Sequence, residues 1–209
     1  MADAAAAVDN RGLDHEQRCP GIGEHAEMIE VPVGGYAVVG TVLAHGRDND
    51  PVREVEIAQA VRAAMPKGMP LGARITGSDW SEGGLTPDDA VAFAKALKAV
   101  GLDFVCISSG GISADTRPTL VANTNVEFAE KVKREVGIAT RTVGLIATPK
   151  QAETIIAEGK ADMVALARAM LDDPHWGWHA AQKLGAEVPR PKQYQRAAPK
   201  VWAGASYRD

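Results

Sequence analysis

The sequence predicts an α/β protein in which short apolar strands alternate with amphipathic helices. From about Glu56 to Gln182, four strand–helix pairs follow one another. Each pair takes about thirty residues, the length that a βα unit needs. Glycine-containing turns separate several strands from the helices that follow them. Because strands that alternate with helices pair in parallel, we expect a parallel sheet covered by helices.

The four predicted strands are Leu71–Thr76, Phe104–Ser108, Ala139–Val143 and Asp162–Leu166. The second strand, Phe-Val-Cys-Ile-Ser, is apolar up to its last residue. A continuous apolar run of this length in an α/β context is typical of a strand buried on both faces. We therefore place this strand inside the sheet.

The clearest helix start is at Thr86, which we predict to be an N-cap. Pro87 suits the first helical position, and the acidic Asp88 and Asp89 favour the positive end of the helix dipole. Gly101 would end this helix in a left-handed conformation. The other predicted helical segments are 57–65, 125–136, 148–158 and 167–171.

The first fifty-five residues do not continue the βα pattern. A hairpin around Gly34-Gly35, with arms at Glu30–Val33 and Tyr36–Leu43, is one interpretation of this stretch. We divide the chain into a segment of residues 1–55, a βα region of 56–199 and a tail of 200–209. A complete (β/α)8 barrel needs about 250 residues. Four βα units after so short a segment therefore predict half a barrel.

Composition argues against several classes of function. The 209 residues carry a formal net charge of -4 without a cluster of basic residues, which disfavours binding to nucleic acid or to an anionic membrane. Cys19 and Cys106 are far apart and match neither a disulfide framework nor a zinc site. No stretch reaches the ~18 apolar residues of a membrane span, and the N-terminus lacks the pattern of a signal peptide. We expect a cytoplasmic protein.

In a (β/α)8 barrel, ligands bind at the carboxyl ends of the strands, and the loops after the last two strands often hold a phosphate. Gly144 follows the third predicted strand and allows close approach of a ligand. Backbone N–H groups there and at Ala167-Arg168 would cradle a phosphate, with charge from Arg168. Considered alone, Gly144 could instead be a simple turn glycine, and Arg168 could be a solvated side chain.

Several segments together resemble the old yellow enzyme family, in particular its bacterial NADPH-dependent ene-reductases and xenobiotic reductases. The resemblance covers about residues 56–199 and includes Gly83–Thr86 and Gln193–Arg196. Its main motifs, in chain order, are Arg74-Ile75-Thr76, Ser108-Ser109-Gly110-Gly111, Val143-Gly144-Leu145-Ile146 and Asp162–Pro174. The resemblance implies the C-terminal half of a (β/α)8 barrel that binds FMN.

By this resemblance, Arg74 points toward the pyrimidine edge of FMN and stabilises the negative charge of the reduced flavin. A guanidinium placed where charge develops suits that task. The alternative for Arg74 is a pair with a carboxylate inside the barrel. The same resemblance assigns the ribityl phosphate to Gly144, Leu145, Ala167 and Arg168.

The sequence departs from the family at Ala167, where glycine is usual, and we expect the added methyl group to hinder the approach of a phosphate. Arg196 resembles an arginine that reaches the active site of the neighbouring protomer. Its alternative is a solvated residue of the tail.

The family transfers hydride from NADPH or NADH to FMN, and then to an enone or quinone polarised by a pair of His or His and Asn. The first half of the barrel supplies that pair, and only His45 in Ala44-His45-Gly46 offers a weak match here. His175 and His179 have the spacing of a metal pair but lack a third ligand, so we expect them to pack and predict no metal site.

The leading hypothesis is a truncated FMN-dependent NAD(P)H oxidoreductase acting on a small enone or quinone. Another phosphate-binding barrel enzyme, and a non-catalytic half-barrel or decayed gene product, remain as alternatives. Half a barrel leaves two sheet edges and an inner face uncovered, so we also expect a homo-oligomer.

Overall fold

A computed structural model describes residues 37–40, 51–110 and 120–207, and the statements below refer to this part of the chain. It contains one sheet of five parallel strands in the order β1-β2-β3-β4-β5. The strands are β1 Ala37–Gly40, β2 Leu71–Thr76, β3 Phe104–Ser108, β4 Ala139–Thr142 and β5 Met163–Val164. The α-helices are α1 Pro51–Ala64, α2 Pro87–Ala99, α3 Val126–Val136, α4 Pro149–Ala157, α5 Arg168–Asp172 and α6 Trp176–Lys183. Two 3-10 helices follow at Lys192–Ala197 and Ala203–Tyr207.

The predicted α/β class and the parallel sheet are confirmed. Each strand pairs with the next strand along the chain, and a helix lies between every two of them. This order, without reversal, is that of consecutive strands in a (β/α)8 barrel. The last two strands are shorter than the sequence predicts, because pairing stops at Thr142 and Val164.

The predicted pairing of the second hairpin arm is wrong. Ala37–Gly40 pairs in parallel with β2, and Ala37 lies opposite Leu71. With α1 this strand forms a fifth βα unit, in the segment where the sequence predicts none. A run of only four residues beside glycines carries no signal that separates a parallel strand from a hairpin arm. The first arm lies outside the described residues.

The core lies between the sheet and the helices α2 to α4. On β2 and β3, alternate residues face the helices, and Leu71, Ile75 and Ile107 are almost fully buried there. On the other face of the sheet, which we call the inner face, the Phe104 ring covers Gly72. A Cβ on Gly72 would lie 2.3 Å from Cζ of Phe104, so this position has no room for a side chain. No described helix is both long and apolar enough to cross a bilayer.

Two helices begin with the same capping arrangement, which confirms the predicted N-cap at Thr86. Thr86 Oγ1 accepts a hydrogen bond from the N–H of Asp89, whose carboxylate accepts from the N–H of Thr86 at 2.8 Å. At α4, Thr148 and Gln151 make the corresponding pair of bonds. The hydrogen bonds from the Thr86 hydroxyl and N–H lower the pKa of Asp89 below its ordinary value of 3.8.

We expect Thr86→Val to destabilise the protein by about 1 kcal/mol at neutral pH, the usual cost of a lost N-cap. Because the pKa of Asp89 is lowered by folding, its stabilisation is present above 3.8 and is lost as the pH falls through the lower folded pKa. The difference between wild type and variant should therefore shrink in acid. Urea unfolding across this pH range measures it.

The matched control is Thr148→Val, which removes the same cap where the partner, Gln151, does not titrate. Its destabilisation should be of similar size and should not change with pH. Equal pH dependence of the two variants would contradict the assignment to Asp89.

Candidate functional site

A cavity of about 720 Å³ opens on the inner face, at the carboxyl ends of β2 to β5. Its size is within the range of small-molecule and cofactor sites. The sequence-predicted ligand residues line it together: Arg74, Gly144, Leu145, Ala167 and Arg168. Residues more than ninety positions apart in the chain thus meet at one edge of the sheet.

Arg74 lies on the inner face of β2 and points along the sheet toward the end of β3. Its Nη2 donates a hydrogen bond of 2.8 Å to Oγ of Ser108. It forms no ion pair with a carboxylate of the described residues. The alternative of an internal ion pair therefore finds no support among the described residues, and the guanidinium keeps donors for a ligand in the cavity.

Arg141 is a lining residue that sequence reasoning missed. Register places Arg74, Cys106 and Arg141 in one row across β2, β3 and β4. The guanidinium carbon of Arg141 lies 5.4 Å from the centroid of the Phe104 ring, and Arg141 lines the cavity. Its Nε is buried without a hydrogen-bond partner in the described part of the chain. The period of two along β4 could have identified it, because Ala139, Arg141 and Val143 share a face.

Gly144 and Leu145 form a loop that depends on glycine. Gly144 has a φ of +115° and Leu145 a φ of +51°. A Cβ on Gly144 would lie 2.9 Å from Nδ2 of Asn125. The backbone N–H groups of Gly144 and Leu145 donate to no acceptor among the described residues. This loop therefore presents free donors beside the cavity, as an anion site requires.

Ala167 and Arg168 follow β5 and line the same cavity as the Gly144 loop. Ala167 has a φ of -103° and a ψ of -81°, so its backbone does not demand glycine. The exposed Arg168 side chain makes no hydrogen bond or ion pair with a described residue. Its charge is available to a ligand.

Asn125, also missed by sequence reasoning, connects two of the strand ends. Its side chain is buried, with only 4% of the residue exposed. Its Oδ1 accepts a short hydrogen bond from Oγ of Ser109, just after β3, and its Nδ2 lies against Gly144. The sequence signal was weak, because an Asn before a helix is usually interpreted as an N-cap.

The other predicted residues do not join this cluster. Arg196 is exposed on the first 3-10 helix and does not line the cavity. His175 stacks on Trp178 with 4.6 Å between ring centroids. His179 lines the cavity, but its Nδ1 bonds Asp173 at 2.6 Å and lowers the pKa of that carboxyl. His45 and Cys19 lie outside the described residues.

The described side chains do not form a cluster of three or more His, Cys, Asp or Glu with the geometry of a metal site. Cys106 is a free, buried thiol between the two inner-face arginines. The cavity is thus lined by glycine, backbone N–H groups and guanidinium groups that suit an anionic organic ligand, and also by the carboxylates of Asp172 and of Asp173, which is bonded to His179.

A parallel βα sheet with such a cavity at the carboxyl ends of its strands has the architecture of the phosphate-binding part of a (β/α)8 barrel. Residues 53–187 match the model of the NADH:flavin oxidoreductase / NADH oxidase family. The chain belongs to this family, which confirms the resemblance found in the sequence.

Curated relatives agree with the family. The NADPH dehydrogenase of Geobacillus thermodenitrificans is 40% identical over 141 residues, which are 68% of this chain and 41% of the relative. The NADPH dehydrogenase of Bacillus velezensis is 42% identical over 129 residues, 61% of this chain and 38% of the relative. The chain spans about two fifths of the length of these relatives.

Among solved structures, a complex of 2-naphthoyl-CoA reductase with 2-naphthoyl-CoA superposes with a TM-score of 0.58. The identity is 23%, and the match covers 68% of this chain and 22% of that one. This likeness supports the barrel-type fold.

We expect Gly144→Ala to destabilise the protein more than an ordinary glycine substitution does. The new Cβ would meet Nδ2 of Asn125 at 2.9 Å, and the backbone would hold an alanine at positive φ. Close packing of this kind adds about 1–3 kcal/mol to the left-handed cost of about 1–2 kcal/mol. Urea unfolding gives the free energy of unfolding.

Gly159→Ala is the control, because Gly159 has a φ of +70° and a Cβ added there would meet nothing within 4 Å. It should show the backbone cost alone. If the two variants lose equal stability, the contact with Asn125 does not constrain Gly144.

Proposed function

We propose that this chain is the FMN-binding part of an NAD(P)H-dependent flavin oxidoreductase. The main observation behind this proposal is that the glycine loop at Gly144 lines the same cavity as Arg74 and Arg168. No described carboxylate forms an ion pair with either guanidinium group. Family membership and the names of the relatives support the same ligand class.

We assign the phosphate of FMN to the Gly144 side of the cavity. The free N–H groups of Gly144 and Leu145 would donate to its oxygens, and the backbone at Ala167 would approach from β5. Arg168 would supply the charge, because a guanidinium binds a phosphate through two parallel hydrogen bonds. In this assignment the phosphate site binds the ligand and takes part in no proton transfer.

We assign the flavin ring to the Arg74 side of the cavity. When bound, FMN supplies the two-electron redox chemistry between NADPH or NADH and the substrate. The contribution of this chain is electrostatic, since a positive guanidinium stabilises the negative charge of a reduced ring. Ser108 fixes the direction of that guanidinium by accepting its hydrogen bond.

The substrate remains a proposal by family resemblance, namely a small enone or quinone. Within the described residues, the cavity contains one imidazole, His179, which is engaged with Asp173. We therefore propose that this chain alone binds FMN and does not turn over an enone. His45 stays a weak catalytic hypothesis, and Arg196 stays a proposed contact to a neighbouring protomer.

We also propose that the protein is cytoplasmic, binds neither nucleic acid nor membrane, and self-associates. The inner positions of β2 and β4 carry Arg74 and Arg141 and no carboxylate. Two inner faces set against each other would bring like charges together, which disfavours that arrangement. Self-association would then use sheet edges or helices.

The decisive experiment measures the flavin spectrum of the purified protein, titration with FMN, and oxidation of NADPH with cyclohexenone on one sample. Binding of FMN without turnover supports the proposal. A protein that binds no flavin would favour the non-catalytic half-barrel, and selective binding of a sugar phosphate would favour another class of barrel enzyme.

We expect Arg168→Gln to weaken FMN binding by about tenfold to a hundredfold, the range for loss of a charged hydrogen bond to a phosphate. Riboflavin, which lacks the phosphate, should bind both proteins equally. Quenching of flavin fluorescence measures both affinities. Arg53→Gln, an exposed arginine on α1, is the matched control and should change neither.

We expect Ala167→Gly to tighten FMN binding by a few fold, because it removes the methyl group that stands at the phosphate side of the cavity. Ala169→Gly, two residues further along α5, serves as a control for the added chain flexibility. Unchanged or weaker FMN binding by Ala167→Gly would show that the methyl group does not limit the site.

A further inference from the structure

We propose that Arg141 is a second charged residue of the flavin site, whose guanidinium makes the cavity favour the reduced, negatively charged form of a bound flavin. This inference rests on the proposed function. It gives β4 an electrostatic role that the family resemblance assigns only to Arg74 on β2. The position of Arg141 in the sheet, its lack of a partner and its apolar surroundings lead to it.

Arg141 lies in the same row of the sheet as Arg74. Arg74 is opposite Cys106 on β3, and Cys106 is opposite Arg141 on β4. Residues paired in this way on parallel strands point to the same face, and two strand spacings place the two arginine Cα atoms about 10 Å apart. Both arginines line the cavity, with the small Cys106 side chain between them. A ligand on the Arg74 side of the cavity is therefore exposed to the field of both charges.

Arg141 has no partner that neutralises it in the part of the chain that the structure describes. None of the ion pairs in this part includes Arg141. Its Nε is shielded from solvent and donates to no acceptor there. Arg74, by contrast, already donates a hydrogen bond to Ser108. Arg141 thus lines the cavity with its charge unpaired.

The surroundings of Arg141 increase the effect of its charge. Its guanidinium carbon lies 5.4 Å from the centroid of the Phe104 ring. Phe104 is only 7% exposed, so the guanidinium borders a buried apolar ring. A charge bordered by apolar groups is screened less than one in water, and leaving it unpaired costs free energy. An anion in the cavity reduces this cost more than a neutral ligand does.

The carboxylates that line the cavity lie apart from this row. Asp172 is the last residue of α5, beyond the end of β5, and Asp173 is bonded to His179 at 2.6 Å. Neither belongs to β2, β3 or β4, where the two arginines and Cys106 are paired. The lining residues with a full positive charge are Arg74, Arg141, Arg168 and Lys183. The net charge of the cavity wall is therefore positive.

This positive charge distinguishes the redox forms of a flavin. Reduction by two electrons and one proton makes the neutral ring singly negative. An unpaired guanidinium stabilises the negative form and leaves the neutral form almost unaffected. Arg141 therefore raises the midpoint potential of a bound flavin while the affinity for the oxidised form hardly changes. The groups proposed for the phosphate differ in this respect, because their loss weakens the binding of both forms.

The test measures the midpoint potential of flavin bound to the full chain, by titration with dithionite against a reference dye. Arg141→Met removes the charge and keeps an unbranched side chain beside Phe104. It should lower the preference for reduced over oxidised FMN by about tenfold, which is about 30 mV of two-electron potential. Arg141→Lys keeps the charge and should retain most of the wild-type potential. Arg134→Gln, which removes an exposed charge on α3, is the control and should not change it.

Riboflavin separates an effect on the ring from an effect on the phosphate. Because both ligands carry the same ring, Arg141→Met should shift the potential of bound riboflavin as much as that of bound FMN. A shift with FMN alone would assign Arg141 to the phosphate and overturn the proposal. Equal shifts for Arg141→Met and Arg141→Lys would overturn it as well, since the shape of the side chain would then be responsible.

A second neutral variant, Arg141→Gln, keeps the test open if Arg141→Met does not fold. If the wild-type chain binds no flavin, the proposed function fails, and this inference falls with it. If the wild type binds FMN and neither neutral variant changes its potential, only the inference on Arg141 fails.

Discussion

The structure depends on one property of a parallel sheet, namely that all of its strands end at the same edge. Pairing between neighbours stops at Thr142 on β4 and at Val164 on β5. The N–H groups beyond these points, at Gly144 and Leu145, find no acceptor in the described chain. Because such donors are costly when shielded from water, the chain must offer them to a ligand or to solvent. The backbone donors of the proposed anion site thus follow from the topology before any side chain is considered.

The two faces of the sheet have different roles, one in stability and the other in the cavity. On the helix-facing side, Leu71, Ile75 and Ile107 supply apolar burial, which is the main source of stability. On the inner face, Gly72 gives its space to the Phe104 ring, and Arg141 lies over that ring with its Nε unpaired among the described residues. An inner face that carries Arg74 and Arg141 without a carboxylate on β2 or β4 is unsuited to pack against a copy of itself. It is suited to a ligand, or to further chain that brings carboxylates.

Strong local signals explain what the sequence could predict. The apolar run of β3 and the Thr-Pro starts of α2 and α4 are properties of neighbouring residues, so they survive without knowledge of the fold. Strand β1 was assigned to a hairpin because four residues carry too little pattern to show their partner, and Leu71, which lies opposite Ala37, is thirty-four positions away. Asn125 was missed for a related reason. Its local context indicates a helix cap, and only tertiary structure shows that its side chain turns to Ser109 instead.

The backbone angles show why the chain can depart from its family at Ala167 but keeps glycine at Gly144. Gly144, with a φ of +115° and Asn125 in the place of its side chain, cannot change without strain. Ala167 has a negative φ of -103°, so its backbone does not require glycine. Glycine is therefore present at the position that requires it and absent at the position where only ligand approach is affected. At the proposed phosphate site, a methyl group at Ala167 would reduce the room for the ligand without changing the shape of the loops, so we expect the affinity to depend mainly on the remaining donors.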